Sequence, residues 1–175
     1  LVVTHVEEAD SNFHARFSAY ERSYVYLIRV GEIRSTFLRK YVYHVSKPID
    51  LKLLSKELKE IIGTHDFSAF RSSQCSAKDP VKTISKASFE ERDNLICIEF
   101  SANAFLHNMI RILIGTLVEI STNADSEYTI TDIISSKNRA LAGKTAPANG
   151  LYFLGAKYKD IQNTNIPFKK FFDSL

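Results

Sequence analysis

The most sustained apolar pattern in the chain runs from Phe100 to Ile120, FSANAFLHNMIRILIGTLVEI. Leu106, Met109, Ile110, Leu113, Ile114, Leu117 and Val118 recur at three- and four-residue spacing, and Ile112 and Ile120 widen the stripe over most of the circumference. The pattern predicts a largely buried helix from Leu106 to Ile120. Arg111 interrupts it. A guanidinium stays charged, and a buried charge is costly unless a carboxylate or phosphate meets it. Glu119, the nearest acid on the helix, is out of reach across two turns. Two readings fit: an arginine at the helix edge with its head in water, or one whose partner lies elsewhere in the fold, in a ligand or in another chain.

The remaining pattern alternates between strand and helix periods. Leu1 to Val6 is β-branched, Phe13 to Ala19 alternates apolar and polar residues, and Ser23 to Val30 is rich in aromatic and β-branched residues; all three are expected as strands. Ser35 to Val45 reads as an irregular connection. Leu51 to Ile62 is an amphipathic helix introduced by Pro48-Ile49-Asp50 and stopped at Gly63. The polar stretch up to Pro80 reads as mostly loop, of a length that usually has a function. Val81 to Phe89 and Leu95 to Ala102 flank Glu90 to Asn94 as a hairpin with a charged tip. A third helix is expected from Thr131 to about Arg139, and a final strand from Gly150 to near Tyr158. The fold class is therefore α+β: a mainly antiparallel sheet with helices packed on one face.

Size and charge narrow this further. The 175 residues, 45% of them hydrophobic, suffice for one sizeable core. A net charge of +3 permits nucleic-acid binding without demanding it. No apolar run reaches membrane-spanning length uninterrupted, and the N-terminus lacks signal-peptide character. Cys75 and Cys97 lack zinc-type spacing, which points to reduced thiols and a cytoplasmic protein. The opening LVVTHVEEAD, without methionine, suggests a fragment or a processed chain.

Among candidate chemistries, His14, Arg16, Arg22, Tyr24 and Tyr26 alternate along neighbouring segments. They form either an aromatic and basic platform for RNA bases and phosphates or an ordinary aromatic core with basic residues outside. The loop around His65, Asp66, Phe70, Arg71, Cys75, Lys78, Asp79 and Lys82 offers a basic cluster next to aromatic rings, suited to phosphate or simply solvated. A metal site from His65, Cys75 and His107 has no supporting spacing. His107 and Arg111, four apart, share a helix face.

Four segments resemble one family. FHARFSAYERSYVYLI, GTHDFSAFRSSQC, SANAFLHNMIRILIGTL and TAPANGLYFLGAKY are similar, in the same order, to motifs of the TruA-type tRNA pseudouridine synthases. The resemblance implies a pseudouridine synthase fold, isomerisation of uridine in the anticodon stem-loop of tRNA, a homodimer binding tRNA across both subunits, and no cofactor or metal. It matches Tyr24 to the tyrosine lying against the target uracil and Arg111 to the arginine that pairs with the catalytic aspartate. Arg16, Arg22, Arg71, Lys78, Lys82 and His107 are the expected RNA contacts.

The departure lies upstream. The family carries its aspartate in a GRTDAGVH-like motif that this sequence does not contain, and Asp10, Asp66 and Asp79 stand in no comparable context. The chain is thus expected to be the C-terminal portion of a longer enzyme, inactive alone. Residues 1–30 would be strands continuing from a missing N-terminal catalytic domain, and 31–175 an RNA-binding and dimerisation domain. Arg111 would then be solvated, bound to an anion or paired with a substitute such as Asp66. The alternative is a noncatalytic RNA-binding module of the same fold. Asn108, Ile110 and Ile112 are mild departures within the arginine motif, and IPFKKFFDSL is a basic, aromatic tail of open role.

Overall fold

Ten regular elements build the fold in a computed structural model that describes residues 3, 6–123, 126–159 and 167–173. The central strand is β1, Glu21–Val30. It pairs antiparallel along one edge with β5, Leu95–Ala102. Its other edge is shared by β6, Leu151–Lys157, along residues 21–26 and by the short β2, Tyr43–Val45, which runs parallel along residues 28–30. Beyond β5 lie β4, Val81–Arg92, and then β3, Gly63–Asp66, both antiparallel. Asp93 and Asn94, at φ 51° and 62°, turn the β4–β5 hairpin as a two-residue loop, a left-handed geometry these short polar side chains tolerate.

Alternation along β1 separates two cores. Tyr26 and Ile28 join Ile96, Ile98 and Phe100 of β5 beneath the helices, whereas Val25, Leu27 and Cys97 face the opposite side. All eight are at most 2% exposed, and each such large apolar side chain contributes about 1.5–3 kcal/mol. The helical layer comprises α1, Leu51–Glu60, α2, Met109–Thr122, and α3, Ile130–Ser136. Asp50 caps α1, accepting from the backbone N–H groups of Lys52 and Leu53 at 2.8 and 3.0 Å. The buried Glu57 carboxylate accepts from Ile130 N at 2.7 Å, fixing the start of α3 against α1. α2 packs against α1, which also touches α3, and is buried almost all round, as its apolar breadth predicts.

Several local expectations change. Residues 13–19 form turns, not a strand. His14 Nδ1 accepts from Arg16 N and Phe17 N, and His14 O accepts from Ser18 N, a local network that competes with extended pairing. The connection at 35–45 contains β2, and the loop after α1 contains β3 and a buried 3-10 turn at Ser68–Phe70. The third helix stops at Ser136, where Lys137 turns left-handed at φ 55°. In the tail, α4, Phe168–Asp173, lies on the face opposite the other helices. There Phe172 is buried with Val25, Leu27 and Cys97, so one helix joins the second face. The expected opening strand falls outside the described residues except for Val3 and Val6, which are exposed.

Candidate active site

A cleft of about 510 Å³ opens where the start of α2, the loop at Gln74–Ala77, the turn at residues 105–108, Tyr24 of β1 and Leu151 of β6 converge. Arg16, His107 and Arg111 also line it. Tyr24 is half-buried, with its ring edge-on to Phe105 at 5.4 Å and to Phe153 at 5.2 Å. Burial pushes its hydroxyl pKa up despite the opposing charge of Arg22, so the ring offers the cleft a neutral, largely apolar wall.

Arg111 sits half-buried at the first turn of α2 and is held in a two-point clasp. Ala146 N donates to Arg111 O at 2.9 Å, and Arg111 Nε donates back to Ala146 O at 2.7 Å. A third contact runs from Arg111 Nη1 to Asn108 Oδ1 at 3.1 Å. These acceptors are neutral. Among the described residues no carboxylate pairs with Arg111, and no Asp or Glu lines the cleft. A charged guanidinium with uncommitted donors facing a 510 Å³ cleft suits an incoming anionic group.

The aspartates considered from sequence are occupied elsewhere. Asp66 is ion-paired with Lys137 at 2.9 Å and accepts from the Ser68 hydroxyl and backbone N–H. It is therefore not the substitute partner of Arg111. Asp10 accepts from Asn12 N and Asp79 from Val81 N, each closing a local turn.

The six expected RNA contacts divide. Arg16 and His107 are exposed and line the cleft. Arg22 acts as a clamp: its guanidinium donates to the carbonyls of Ala19 and Asn103, each at 2.6 Å, and to that of Arg16. It thereby ties the 16–19 turn, which carries Arg16, to the end of β5. Arg71 donates to Cys75 O at 3.0 Å and braces the loop at residues 72–75. Lys82, its side chain only 12% exposed, is folded onto the carbonyls of Asp79 and Val81 at 2.6 and 2.7 Å. Lys78 is exposed beside the cleft loop without lining it.

Both cysteines are free and buried. Burial raises the Cys97 thiol to about 12. Burial also pushes Cys75 up, but backbone hydrogen bonds from His107 and Ala77 and the charges of Arg71 and Lys82 outweigh it, leaving that thiol below its ordinary value. Among the described residues no cluster of His, Cys, Asp and Glu could hold a metal ion, and no helix is long and apolar enough to cross a membrane. Sequence reasoning missed Phe105 and Leu151 as lining residues, although both sit inside the recognised ANAF and GLYFL segments.

A family profile described as tRNA pseudouridine synthase matches residues 58–159. The chain is 42% identical over 158 residues to a tRNA pseudouridine synthase A of Geobacillus sp. (strain WCH70), covering 90% of this chain and 64% of that relative. Identity is again 42% over 158 residues to the Acetivibrio thermocellus protein of the same name, covering 90% and 65%. It is 43% over 161 residues to that of Ehrlichia canis (strain Jake), covering 90% and 64%. The chain thus spans a little under two thirds of the length of these relatives.

Proposed function

The chain belongs to the tRNA pseudouridine synthase family, and from that membership we propose that its cleft is part of the active site of an enzyme that isomerises uridine in the anticodon stem-loop of tRNA. The observation that carries the reading is Arg111: a guanidinium fixed by neutral acceptors, lining a cleft that holds no carboxylate among the described residues. The catalytic aspartate is supplied from outside these 175 residues. Arg111 pairs with it, keeps it ionised and orients it.

The isomerisation breaks the bond from ribose C1′ to uracil N1, rotates the base and joins C1′ to C5; C5 gives up its proton to solvent and the freed N1 takes one up. A base inside a helix is unreachable, so the uridine must be turned out. A cleft of about 510 Å³ is of a size that suits a nucleotide-sized ligand. Tyr24 forms the wall against the uracil. Arg16, His107 and Lys78 contact phosphates, while Arg22, Arg71 and Lys82 hold the loops that present them. The reading includes a cytoplasmic homodimer with tRNA lying across both subunits, working without cofactor or metal.

The test is tritium release from C5-labelled uridine in tRNA. The complete enzyme is expected to turn over, and Arg111→Ala to lose at least about 100-fold in kcat while tRNA affinity changes little. The 175-residue chain alone is expected to bind tRNA in a salt-sensitive manner without release. Turnover by that chain would refute an external aspartate; tRNA binding without turnover by the complete protein would favour a noncatalytic RNA-binding module.

A further inference from the structure

Asn108 begins α2 in an unusual conformation, with φ 62° and ψ 7°. An N-cap asparagine ordinarily sits in extended backbone and turns its side-chain oxygen onto a free N–H of the first helical turn. Asn108 does only half of this. Its backbone carbonyl accepts from Ile112 N at 3.0 Å, but its side chain caps no helix N–H and Oδ1 accepts from Arg111 Nη1 at 3.1 Å. The left-handed backbone is one that asparagine tolerates better than most residues. The three-residue spacing along α2 places both side chains on the same face, and both line the cleft.

Resting on the reading of this cleft as the isomerase site, we infer that Asn108 is a positioning residue for Arg111 and determines which edge of the guanidinium meets the aspartate. Ala146 O occupies Nε, and Asn108 occupies one N–H of Nη1. The donors left for a carboxylate are those of Nη2 and the second N–H of Nη1. The ion pair therefore forms through the Nη2 end of the guanidinium and not through a side-on Nε contact. A neutral acceptor is what the position requires. A carboxylate there would compete with the aspartate for Arg111, and a residue without an acceptor would free the guanidinium to swing.

Two substitutions separate positioning from a merely structural role. Asn108→Gly accepts the left-handed backbone freely but removes the acceptor. In the complete enzyme it is expected to lower kcat about tenfold, the effect of losing one ordinary hydrogen bond to a charged group. The KM for tRNA should stay within about twofold and the melting temperature should be unchanged. Asn108→Asp restores an acceptor but shares Arg111 with a second anion. The aspartate's pKa then rises, and the acidic limb of the kcat profile moves to higher pH. In the 175-residue chain, proton exchange at Arg111 Nε, followed by 15N NMR, should quicken about tenfold in Asn108→Gly, because the side chain loses an anchor. Wild-type kcat and exchange in Asn108→Gly would overturn the inference, as would a fall in kcat matched by a fall in melting temperature with no movement of the Asn108→Asp profile. If instead Arg111→Ala left turnover intact, the isomerase reading of the cleft would fail, while the exchange measurement would still report whether Asn108 holds the guanidinium.

Discussion

Gly115 of α2 lies directly against the carbonyl of Lys144, so that a Cβ on the glycine would stand 1.6 Å from that oxygen. This contact lets the segment after α3 press onto α2 and deliver Ala146 to Arg111. Gly143 completes the fit, its N–H donating to Thr116 Oγ1 at 2.9 Å, with no room for a Cβ against Thr116. The atoms obstructing Gly115 are backbone, which cannot rotate aside. Gly115→Ala is therefore expected to cost about 2–3 kcal/mol, read as a lowered melting temperature. The complete enzyme should also lose turnover as the Ala146 clasp shifts. An unchanged melting curve would show that the segment can move without penalty.

The same segment is tied to the sheet through Tyr26, whose hydroxyl donates to Pro147 O at 2.6 Å. Tyr26→Phe keeps the buried ring and removes only this bond. The expected loss is about 1 kcal/mol, measured by denaturant unfolding with an unaltered slope. A loss near zero would mean that water replaces the hydroxyl without cost.

Arg22 joins three carbonyls through the planar fork of donors that lysine lacks. Arg22→Lys preserves the charge but not the planar fork. It should destabilise the turn at 16–19 by about 1–3 kcal/mol, seen as faster amide exchange there, and raise the KM for tRNA by loosening Arg16. If exchange stayed slow and only salt-dependent affinity fell, Arg22 would be acting as a phosphate ligand.

Acid should weaken the fold through Asp66 and Glu21. Hydrogen bonding by Ser68, together with Lys137, holds Asp66 below the usual carboxylate range. Hydrogen bonding and charge from Lys157, aided by Ser85 and opposed by burial, do the same for Glu21. The unfolded chain binds these protons more readily than the folded one. Their stabilisation is thus complete above the ordinary carboxylate range and disappears as pH falls through the lower folded values. Asp66→Asn should reduce stability at neutral pH and flatten part of the acid dependence of the melting temperature. Parallel curves for variant and wild type would remove Asp66 from that account.

Much of the fold follows from short-range pattern. The 3.6-residue period of α1 and α2, the Asp50 cap, the β4–β5 hairpin and the alternation of β1 are properties of contiguous residues, so the sequence alone determined them. It also determined the four motifs, and through them the expectation placed on Arg111 and Tyr24. The alternation at 13–19 misled because it describes a strand only when a partner edge exists, and beyond Tyr20 N bonded to Lys157 O the local bonds of His14 take over. The short strands β2 and β3, of three and four residues, carry too little periodicity to be read without the neighbours they pair with. Only the tertiary structure decided that Arg22 is a clamp, that Asp66 belongs to Lys137 and that α4 crosses to the second face. It alone gave Arg111 its neutral holders, Asn108 and Ala146. Charge and side-chain length are written in the chain. Which acceptor each donor reaches is fixed by residues tens of positions away, and only packing brings them together.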